Sequence, residues 1–460
     1  MGGGRRWVRI AFQILLLTQL LAITPPFRGI TKAAAGVRPR PNILLVVTDD
    51  QRKGMLGVMP AVRSPARSGR TFSRAFVATP ICCPSRATIM TGMYTHNHGV
   101  HTNGDGWRLD EDSTVQRHLR DAGYATALAG KFLNSFRIDR DPKHFDRWAM
   151  MRAADDYYGA RFNINGRVKR RSAYSTNVIS DKAVGFLRSF NRNRDGDPWF
   201  LIVTPNAMHL PATPEPKYSR SPVPRWSPNP ATSERNRADK PPWVRSRSVG
   251  IDLMRAIRRR QFRTLRSVDD MILRLTRLLR RQREIRRTLI IFTSDNGYLW
   301  GEHGLDRKGH PYEASVGAPL IVRWPGHVAG ASVDPRFASL VDIAPTIFKA
   351  ARIESVGTDG RSLLGTNRRN RVFMEYWRNG AFNIPGWRAV RNRIRLYVEY
   401  LGDNRRRVIF REYYRLLRDP WQLKNVLKDG NPDNNPSRRT LTKLHRQLVD
   451  FASCAAKTCP

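Results

Sequence analysis

The chain has 460 residues, 40% of them hydrophobic, which supplies one large core and a smaller one and excludes an extended disordered chain. Four cysteines are too few for a scaffold held together by disulfides. A formal charge of +43, from 81 Lys and Arg against 38 Asp and Glu, admits nucleic acid, anionic membranes and sulfated polysaccharides as partners. The alternative is that the arginines are solvent-exposed surface residues that bind no such partner.

The first 35 residues have the pattern of an export signal. Arg5, Arg6 and Arg9 precede an apolar run at Ile10–Ile23, and a stretch of alanines at Ala33–Ala35 offers a cleavage site. We expect residues 1–35 to be a signal peptide that is removed. The mature protein is then exported, either secreted or held at the cell surface or in a periplasm, with no stable membrane span. Because the apolar run is short for a bilayer, an uncleaved anchor is the less favoured alternative.

Three continuous apolar segments indicate buried parallel strands. They are Asn42–Val47, Trp199–Thr204 and Thr288–Thr293. Polar side chains follow each of them: Asp49 and Asp50 after the first, His209 after the second, and Asp295 and Asn296 after the third. Because ligands gather at the carboxyl ends of the strands in such sheets, we expect these side chains to converge although they are far apart in sequence.

Helical patterns lie between the strands, at 113–122, 177–190 and 251–280. The alternation of strand and helix predicts an α/β fold with a large, mostly parallel sheet flanked by helices on both faces. We assign residues 36–365 to this domain.

The pattern changes after Gly365. Residues 372–376 and 394–400 alternate like antiparallel strands, and residues 441–451 have a helical pattern. We therefore predict a smaller C-terminal domain at 366–460, an antiparallel sheet with a helix. Cys454 and Cys459 lie close enough in sequence to pair in an oxidising compartment.

The acidic residues at the strand ends form an all-oxygen set. Asp49, Asp50, Asp295 and Asn296 suit a hard divalent ion, Ca2+ with Mg2+ as the alternative, better than zinc, which prefers nitrogen and sulfur. An acidic pair after one strand is more often a turn or a helix cap. Two such pairs at strand ends that should meet favour a metal site.

The segment from Cys82 to Gly92, CCPSRATIMTG, is the most informative run. It resembles the signature of the sulfatase family, Cys-x-Pro-Ser-Arg followed by Thr-Gly, in which the first cysteine is converted to formylglycine by a formylglycine-generating enzyme. The resemblance implies that Cys82 becomes the nucleophile: one hydroxyl of its hydrated aldehyde attacks sulfur, and the second allows sulfate to leave. It also implies that Cys82 completes the metal shell of Asp49, Asp50, Asp295 and Asn296. Cys83 is interpreted as a small buried hydrophobe.

Four more residues are assigned to the same pocket. Arg86, one helical turn after Cys82 if a helix starts at Pro84 or Ser85, can hold sulfate oxygens by its charge. The other three are assigned by resemblance to the family. Lys131 is similar to a sulfate-binding lysine, His209 to a histidine that contacts sulfate or protonates the leaving oxygen, and Lys308 to a lysine that bridges sulfate and leaving group.

One departure points to the substrate. Leu133 stands where many arylsulfatases have a histidine, and this change is shared by the subgroup that acts on glucosamine 6-sulfate. The resemblance therefore implies hydrolysis of the 6-O-sulfate of glucosamine in a sulfated sugar or polysaccharide. The alternatives are a broad arylsulfatase, a related phosphoester hydrolase and a catalytically silent polyanion-binding protein. Nucleic acid is an unlikely partner, because charge is its only support.

Overall fold

The computed structural model describes residues 39–460 except 153–154, 193–196, 367–368 and 381. The predicted signal peptide at 1–35 lies outside the described residues. The strands are β1 (Asn42–Thr48), β2 (Arg70–Phe76), β3 (Ala125–Lys131), β4 (Arg147–Met151), β5 (Ala160–Ile164), β6 (Arg167–Arg171), β7 (Trp199–Thr204), β8 (Thr288–Ser294), β9 (Leu299–Trp300), β10 (Asp306–Arg307), β11 (Leu320–Arg323), β12 (Ser332–Ser339), β13 (Arg371–Tyr376), β14 (Trp387–Asn392), β15 (Leu396–Leu401) and β16 (Val408–Tyr414). The helices are α1 (Pro60–Arg67), α2 (Cys82–Thr91), α3 (Thr95–His98), α4 (Val115–Asp121), α5 (Ser175–Arg192), α6 (Pro242–Arg245), α7 (Ile251–Arg281), α8 (Glu313–Val316), α9 (Ile343–Ala351) and α10 (Arg438–Ser453).

The three apolar segments of the sequence form the middle of a ten-stranded sheet with the order β12-β2-β11-β8-β1-β7-β3-β4-β5-β6. Strand β1 is buried along its whole length and pairs in parallel with β7 on one side and β8 on the other. Strands β11, β5 and β6 introduce antiparallel pairs. The carboxyl ends of β8, β1 and β7 therefore open onto the same edge of the sheet, as predicted.

Helices cover both faces of the sheet, and β1 is therefore buried on both of its faces. Ile43, Leu45 and Val47 point into one core cluster, together with side chains of α2, α4 and α9. Leu44 and Val46 point into another, with side chains of α5 and α7. The prediction of an α/β fold with helices on both faces is confirmed.

A second sheet, antiparallel with the order β13-β14-β15-β16, follows in the chain, and α10 packs on its strand β14. The predicted strands at 372–376 and 394–400 are β13 and β15, and the sheet gains β14 and β16. Residues of both sheets, among them Val372 and Ile43, belong to the same core cluster. The domain boundary at residues 365 and 366 stays a prediction.

The end of the chain is tied to the segment after α2. Cys454 and Cys459 form a disulfide. The carbonyl oxygen of Cys454 lies 3.0 Å from Nε2 of His96, whose Nδ1 lies 2.8 Å from Oε1 of Glu375. Because a carbonyl and a carboxylate oxygen flank the ring, this geometry favours a ring with a proton on both nitrogens. Although burial lowers the pKa of His96, its hydrogen bond to Glu375 gives a net increase.

Among the described residues, none of the helices has the length and apolar character needed to cross a bilayer.

Candidate active site

The polar side chains at the strand ends converge as the sequence predicted. Asp49 and Asp50 follow β1, and Asp295 follows β8. One carboxylate oxygen from each of them and Sγ of Cys82 lie within 4.8 Å of one another. All four residues are buried. The edge of the sheet therefore carries a compact cluster of three acids around the cysteine.

Helix α2 brings Cys82 to this cluster. It begins at Cys82 itself, two or three residues before the predicted start at Pro84 or Ser85, and its first backbone hydrogen bond runs from Ser85 N to Ile81 O at 3.0 Å. Pro84 fits in this first turn because the leading amide groups of a helix have no partner within the helix. The helix ends at Gly92, whose φ of 72° is left-handed. Sγ of Cys82 lies 3.5 Å from Oδ1 of Asp49.

Arg86, one turn further along α2, connects three elements. Its Nε donates to Oδ2 of Asp295 at 2.8 Å and its Nη2 to Oδ2 of Asp49 at 3.3 Å. Its Nη1 donates to the carbonyl oxygen of Lys131 at 3.0 Å. The guanidinium thus pairs with two buried carboxylates beside Cys82 and joins the ends of β1, β3 and β8.

Two lysines complete the charge pattern. Nζ of Lys131 lies 2.5 Å from Oδ2 of Asp49, and both side chains are fully buried. Nζ of Lys308 donates to Sγ of Cys82 at 2.8 Å and also to Oδ1 of Asp50. Burial lowers the pKa of both lysines, but Asp49 for Lys131 and Asp50 for Lys308 give a net increase. Both lysines therefore stay charged in contact with the cluster.

The surroundings shift the pKa values of Asp49 and Asp295 in opposite directions. Burial would raise the pKa of Asp49, but Lys131 and the other cations lower it far below its usual value. Burial, and then the charge of Asp49, raise the pKa of Asp295. The same two causes raise the pKa of the Cys82 thiol above its usual range. Burial and Asp49 therefore favour the thiol form of Cys82 over the thiolate, which is the more nucleophilic form.

The donor set fits a hard divalent cation. Nδ2 of Asn296 donates to Oδ1 of Asp50 at 2.6 Å. Oδ1 of Asn296 is buried and has no hydrogen-bond partner among the described residues. A buried amide oxygen without a partner costs free energy unless a cation or a donor binds it. Asp49, Asp50, Asp295 and Asn296 all offer oxygen, the ligand atom that Ca2+ and Mg2+ prefer.

His209 approaches the cluster from the end of β7. A ring nitrogen of His209, Sγ of Cys82 and a carboxylate oxygen of Asp49 lie within 4.8 Å of one another. Nδ1 of His209 is 3.2 Å from Oδ1 of Asp155 and 2.7 Å from the carbonyl oxygen of Leu210. Burial lowers the pKa of His209, but Asp49 and then Asp155 give a net increase. His209 is thus held at the edge of the site as a group that can carry a proton.

Two neighbours of the site, Asp155 and Asn103, were not predicted from the sequence. Asp155 has no motif around it, and only the fold brings it to His209. Asn103 accepts a hydrogen bond from the backbone N–H of Cys83 at 3.0 Å, so its loop covers the start of α2.

Sγ of Cys83 accepts from the backbone N–H of Asn134 at 3.0 Å, and Leu133 is buried in the core. Cys83 is therefore a buried packing residue, as interpreted from the sequence.

The chain thus has an α/β fold with a buried cluster of acids, cations and a cysteine at the carboxyl edge of a mostly parallel sheet. The family model named Sulfatase matches residues 41–353, and the model of the N-sulphoglucosamine sulphohydrolase C-terminal region matches residues 301–452. The chain belongs to the sulfatase family and is a sulfuric ester hydrolase.

Relatives and solved structures agree with this assignment. Human N-acetylglucosamine-6-sulfatase is 29% identical over 96% of this chain and 89% of its own length. An extracellular sulfatase homologue of Caenorhabditis elegans is 33% identical over 70% of this chain, which spans 48% of that longer protein. Among solved structures, one protein in complex with its substrate D-glucosamine-2-N,6-O-disulfate has a TM-score of 0.79 with this chain at 22% sequence identity. The match covers 90% of this chain and 97% of that protein's chain. That likeness concerns the fold.

Proposed function

We propose that this chain hydrolyses the 6-O-sulfate of a glucosamine unit, with a formylglycine derived from Cys82 as nucleophile and a bound divalent cation. The observation that carries this proposal is the placement of Cys82. It begins a buried helix, lies among three carboxylates and is contacted by Lys308. Conversion to a hydrated aldehyde gives this position two hydroxyl groups, of which one can attack sulfur while the other allows sulfate to leave.

The cations around Cys82 can stabilise the negative charge on a sulfuryl group while it is transferred. Arg86, Lys131 and Lys308 place three positive charges around the nucleophile in a buried site, where charge stabilisation of sulfate oxygens is strongest. His209, held by Asp155, can give its proton to the leaving alcohol oxygen. In this assignment Lys131 and Lys308 exchange part of their contact with Asp49 and Asp50 for contact with the sulfate.

The carboxylates would hold the cation. Asp49, Asp50, Asp295 and Asn296 supply oxygen ligands, and modified Cys82 would add another. When bound, the cation supplies positive charge that favours ionisation of the nucleophile. Calcium is our first choice because it accepts oxygen-rich ligand sets with several carboxylates and tolerates irregular coordination geometry better than magnesium.

The proposed substrate rests on the relatives and on charge. Relatives named N-acetylglucosamine-6-sulfatase cover most of this chain, and the formal charge of +43 favours anionic substrates. We also propose that the protein is exported and that a formylglycine-generating enzyme modifies Cys82 during maturation. An exported enzyme with these properties would act on sulfated sugars outside the cytoplasm.

Mass spectrometry of the peptide that contains Cys82, combined with sulfate release, tests the proposal. We expect a loss of about 18 Da at Cys82 in protein made by a host that converts other sulfatases. The same protein should release sulfate from glucosamine 6-sulfate and not from glucosamine 3-sulfate. An unmodified thiol in that host, or release from the 3-sulfate alone, would contradict the proposal.

Cation binding should stabilise the folded protein independently of activity. Protein stripped with a chelator and then given Ca2+ at about 100 times its dissociation constant should gain about 2.7 kcal/mol of unfolding free energy. Asp295→Asn should lose most of this gain, because it removes one buried charge from the ligand set. Calorimetry, run in parallel with Ca2+ and with Mg2+, measures the gain in unfolding free energy of the wild type and of the variant. Asp403→Asn, which changes an exposed carboxylate, is the control. Equal gains in wild type and Asp295→Asn would show that the ion binds elsewhere.

A further inference from the structure

The exposed side of α7 carries a row of arginines. The helix contains ten arginines against three aspartates. Arg259 and Arg277 are both exposed, and they face the same direction because they are five helical turns apart. Arg280 and Arg281 are exposed one turn after Arg277. With a rise of 1.5 Å per residue the helix is about 46 Å long, so these side chains mark out a long basic surface.

A surface loop extends this row over the middle of the helix. Nε of Arg263 donates to the carbonyl oxygen of Ser221 at 3.1 Å, and Nη2 of Arg266 donates to that of Pro222 at 2.8 Å. The same loop carries two exposed arginines. Together with the four on the helix they form a set that we call the arginine ribbon: Arg220, Arg225, Arg259, Arg277, Arg280 and Arg281.

The acids of α7 do not neutralise the ribbon. Asp252 pairs with Arg255, and Asp270 pairs with Lys217 at 2.7 Å. Asp269 accepts from two backbone N–H groups at the start of α1. The six ribbon arginines have no ion-pair partner among the described residues. Because like charges three and four residues apart repel one another, as at the end of α7, a partner that brings negative charge would stabilise this surface.

The helix connects the edge of the sheet that carries the candidate active site with the opposite edge. In its first third, Nε2 of Gln261 donates to the carbonyl oxygen of Met208 at 3.5 Å, and Met208 directly precedes His209. Beyond its end, Glu284 accepts from Nδ2 of Asn42, the first residue of β1, at 3.2 Å. Helix α7 therefore begins beside a loop of the candidate site and runs toward the amino end of β1.

The ribbon suits a long, linear polyanion. Among the described residues of α7, the large apolar side chains that are exposed are Ile251 and Leu253, both ahead of its ribbon arginines. A helix that lies in a membrane surface needs an apolar face, and single-stranded nucleic acid is bound through exposed aromatic rings. The helix offers neither feature beside its arginines, whereas a sulfated polysaccharide requires only a row of cations that matches its own charges.

We propose that the arginine ribbon binds a linear sulfated polysaccharide and so holds a polymeric substrate on the enzyme. The inference rests on the proposed function for the kind of polymer, and it adds a binding surface outside the Cys82 cluster. A polymer held in this way raises the local concentration of its sulfated units at the candidate active site. A single sulfated sugar gains nothing from the ribbon, because one small ligand occupies one site at a time.

A triple variant at the end of the helix, Arg277→Gln with Arg280→Gln and Arg281→Gln, tests the proposal. Glutamine keeps the helix propensity of arginine and removes its charge. In calorimetry at about 0.1 M salt, heparin should bind this variant about tenfold more weakly. The slope of log Kd against log salt should become less steep, because fewer counterions are released. These measurements are made in a Cys82→Ala background, so that binding is observed without sulfate release.

Kinetics with Cys82 intact provide the second readout. The triple variant should lose about tenfold in kcat/KM on a polysaccharide that carries glucosamine 6-sulfate. Its kcat/KM on glucosamine 6-sulfate alone should stay at the wild-type value. An equal loss on both substrates would overturn the proposal, because the ribbon would then act on the candidate site and not on the polymer.

The matched control removes the same charge elsewhere, through Arg393→Gln, Arg439→Gln and Arg446→Gln. These arginines are exposed, have no ion-pair partner among the described residues, and lie between β14 and β15 and on α10. The control should bind heparin within about twofold of its parent, because exposed charges act over about 10 Å at this salt concentration. Equal losses in both triple variants, equal binding of chemically desulfated heparin, or tighter binding of duplex DNA of equal length would overturn the proposal.

Two combinations of results separate this inference from the proposed function. If the ribbon variant alone loses heparin binding while the wild type releases no sulfate, the ribbon stands and the proposed function is contradicted. If the wild type releases sulfate from glucosamine 6-sulfate while the ribbon variant binds heparin as tightly as its parent, the function stands and the ribbon is overturned.

Discussion

Replacement of Cys82 by alanine is expected to lower kcat for sulfate release by about 10⁴-fold or more, while the protein stays folded. The reason is that alanine has no group that can be converted to an aldehyde, so the position loses its proposed nucleophile. The change removes one buried sulfur atom, so the melting temperature should move only slightly. Steady-state kinetics on glucosamine 6-sulfate and a thermal melt measure the two effects.

Cys83→Ala is the control for this variant. Cys83 is equally buried and adjacent in sequence, but its sulfur accepts a hydrogen bond from Asn134 and does not face the acids. We expect its activity to stay within about tenfold of the wild type. If Cys82→Ala kept more than a small fraction of the wild-type kcat, or if both variants lost activity equally, Cys82 would not be the nucleophile.

Arg86→Met should lower the free energy of unfolding by about 3–5 kcal/mol when no divalent cation is present. Arg86 pairs with Asp295 at 2.8 Å and with Asp49 at 3.3 Å, and all three side chains are at most 4% exposed. Without the guanidinium these carboxylates lose the cation that bridges them while they remain buried. Denaturant unfolding in a chelator-containing buffer measures the change.

An exposed arginine pair provides the comparison for Arg86. Arg117 pairs with Asp121 at 2.9 Å on α4, and both side chains are at least 40% exposed. Arg117→Met should change the free energy of unfolding by only about 0.5 kcal/mol, because solvent screens that pair. A loss of similar size in both variants would mean that Arg86 contributes no more than a surface ion pair.

Local pattern was enough to predict the strands at the centre of the sheet. A strand buried on both faces needs apolar residues at every position, so β1, β7 and β8 stand out as continuous runs. The long amphipathic helix predicted at 251–280 is α7, Ile251–Arg281, because a helix with one buried face keeps its period over many turns. Strands β14 and β16 were not predicted, since their partly exposed residues alternate less regularly.

Motifs identified the residues of the candidate site but not the contacts between them. The structure brings the predicted residues of one buried cluster together, namely Cys82, Arg86, Asp49, Asp50, Asp295 and Asn296. Their roles stay predictions. The pairing of His209 with Asp155 could not be read from the chain, because 53 intervening residues carry no signal of it.

The sequence by itself determined the family, the strand pattern and the residue types at the strand ends, because each depends on neighbours within one short segment. Only the tertiary structure decided that Lys308 contacts Cys82 and that Arg86 bridges two acids. These contacts join residues more than 200 positions apart, except that between Arg86 and Asp49. Arg86 can bridge Asp49 and Asp295 because the sheet order places the ends of β1 and β8 side by side, and no local pattern encodes that order.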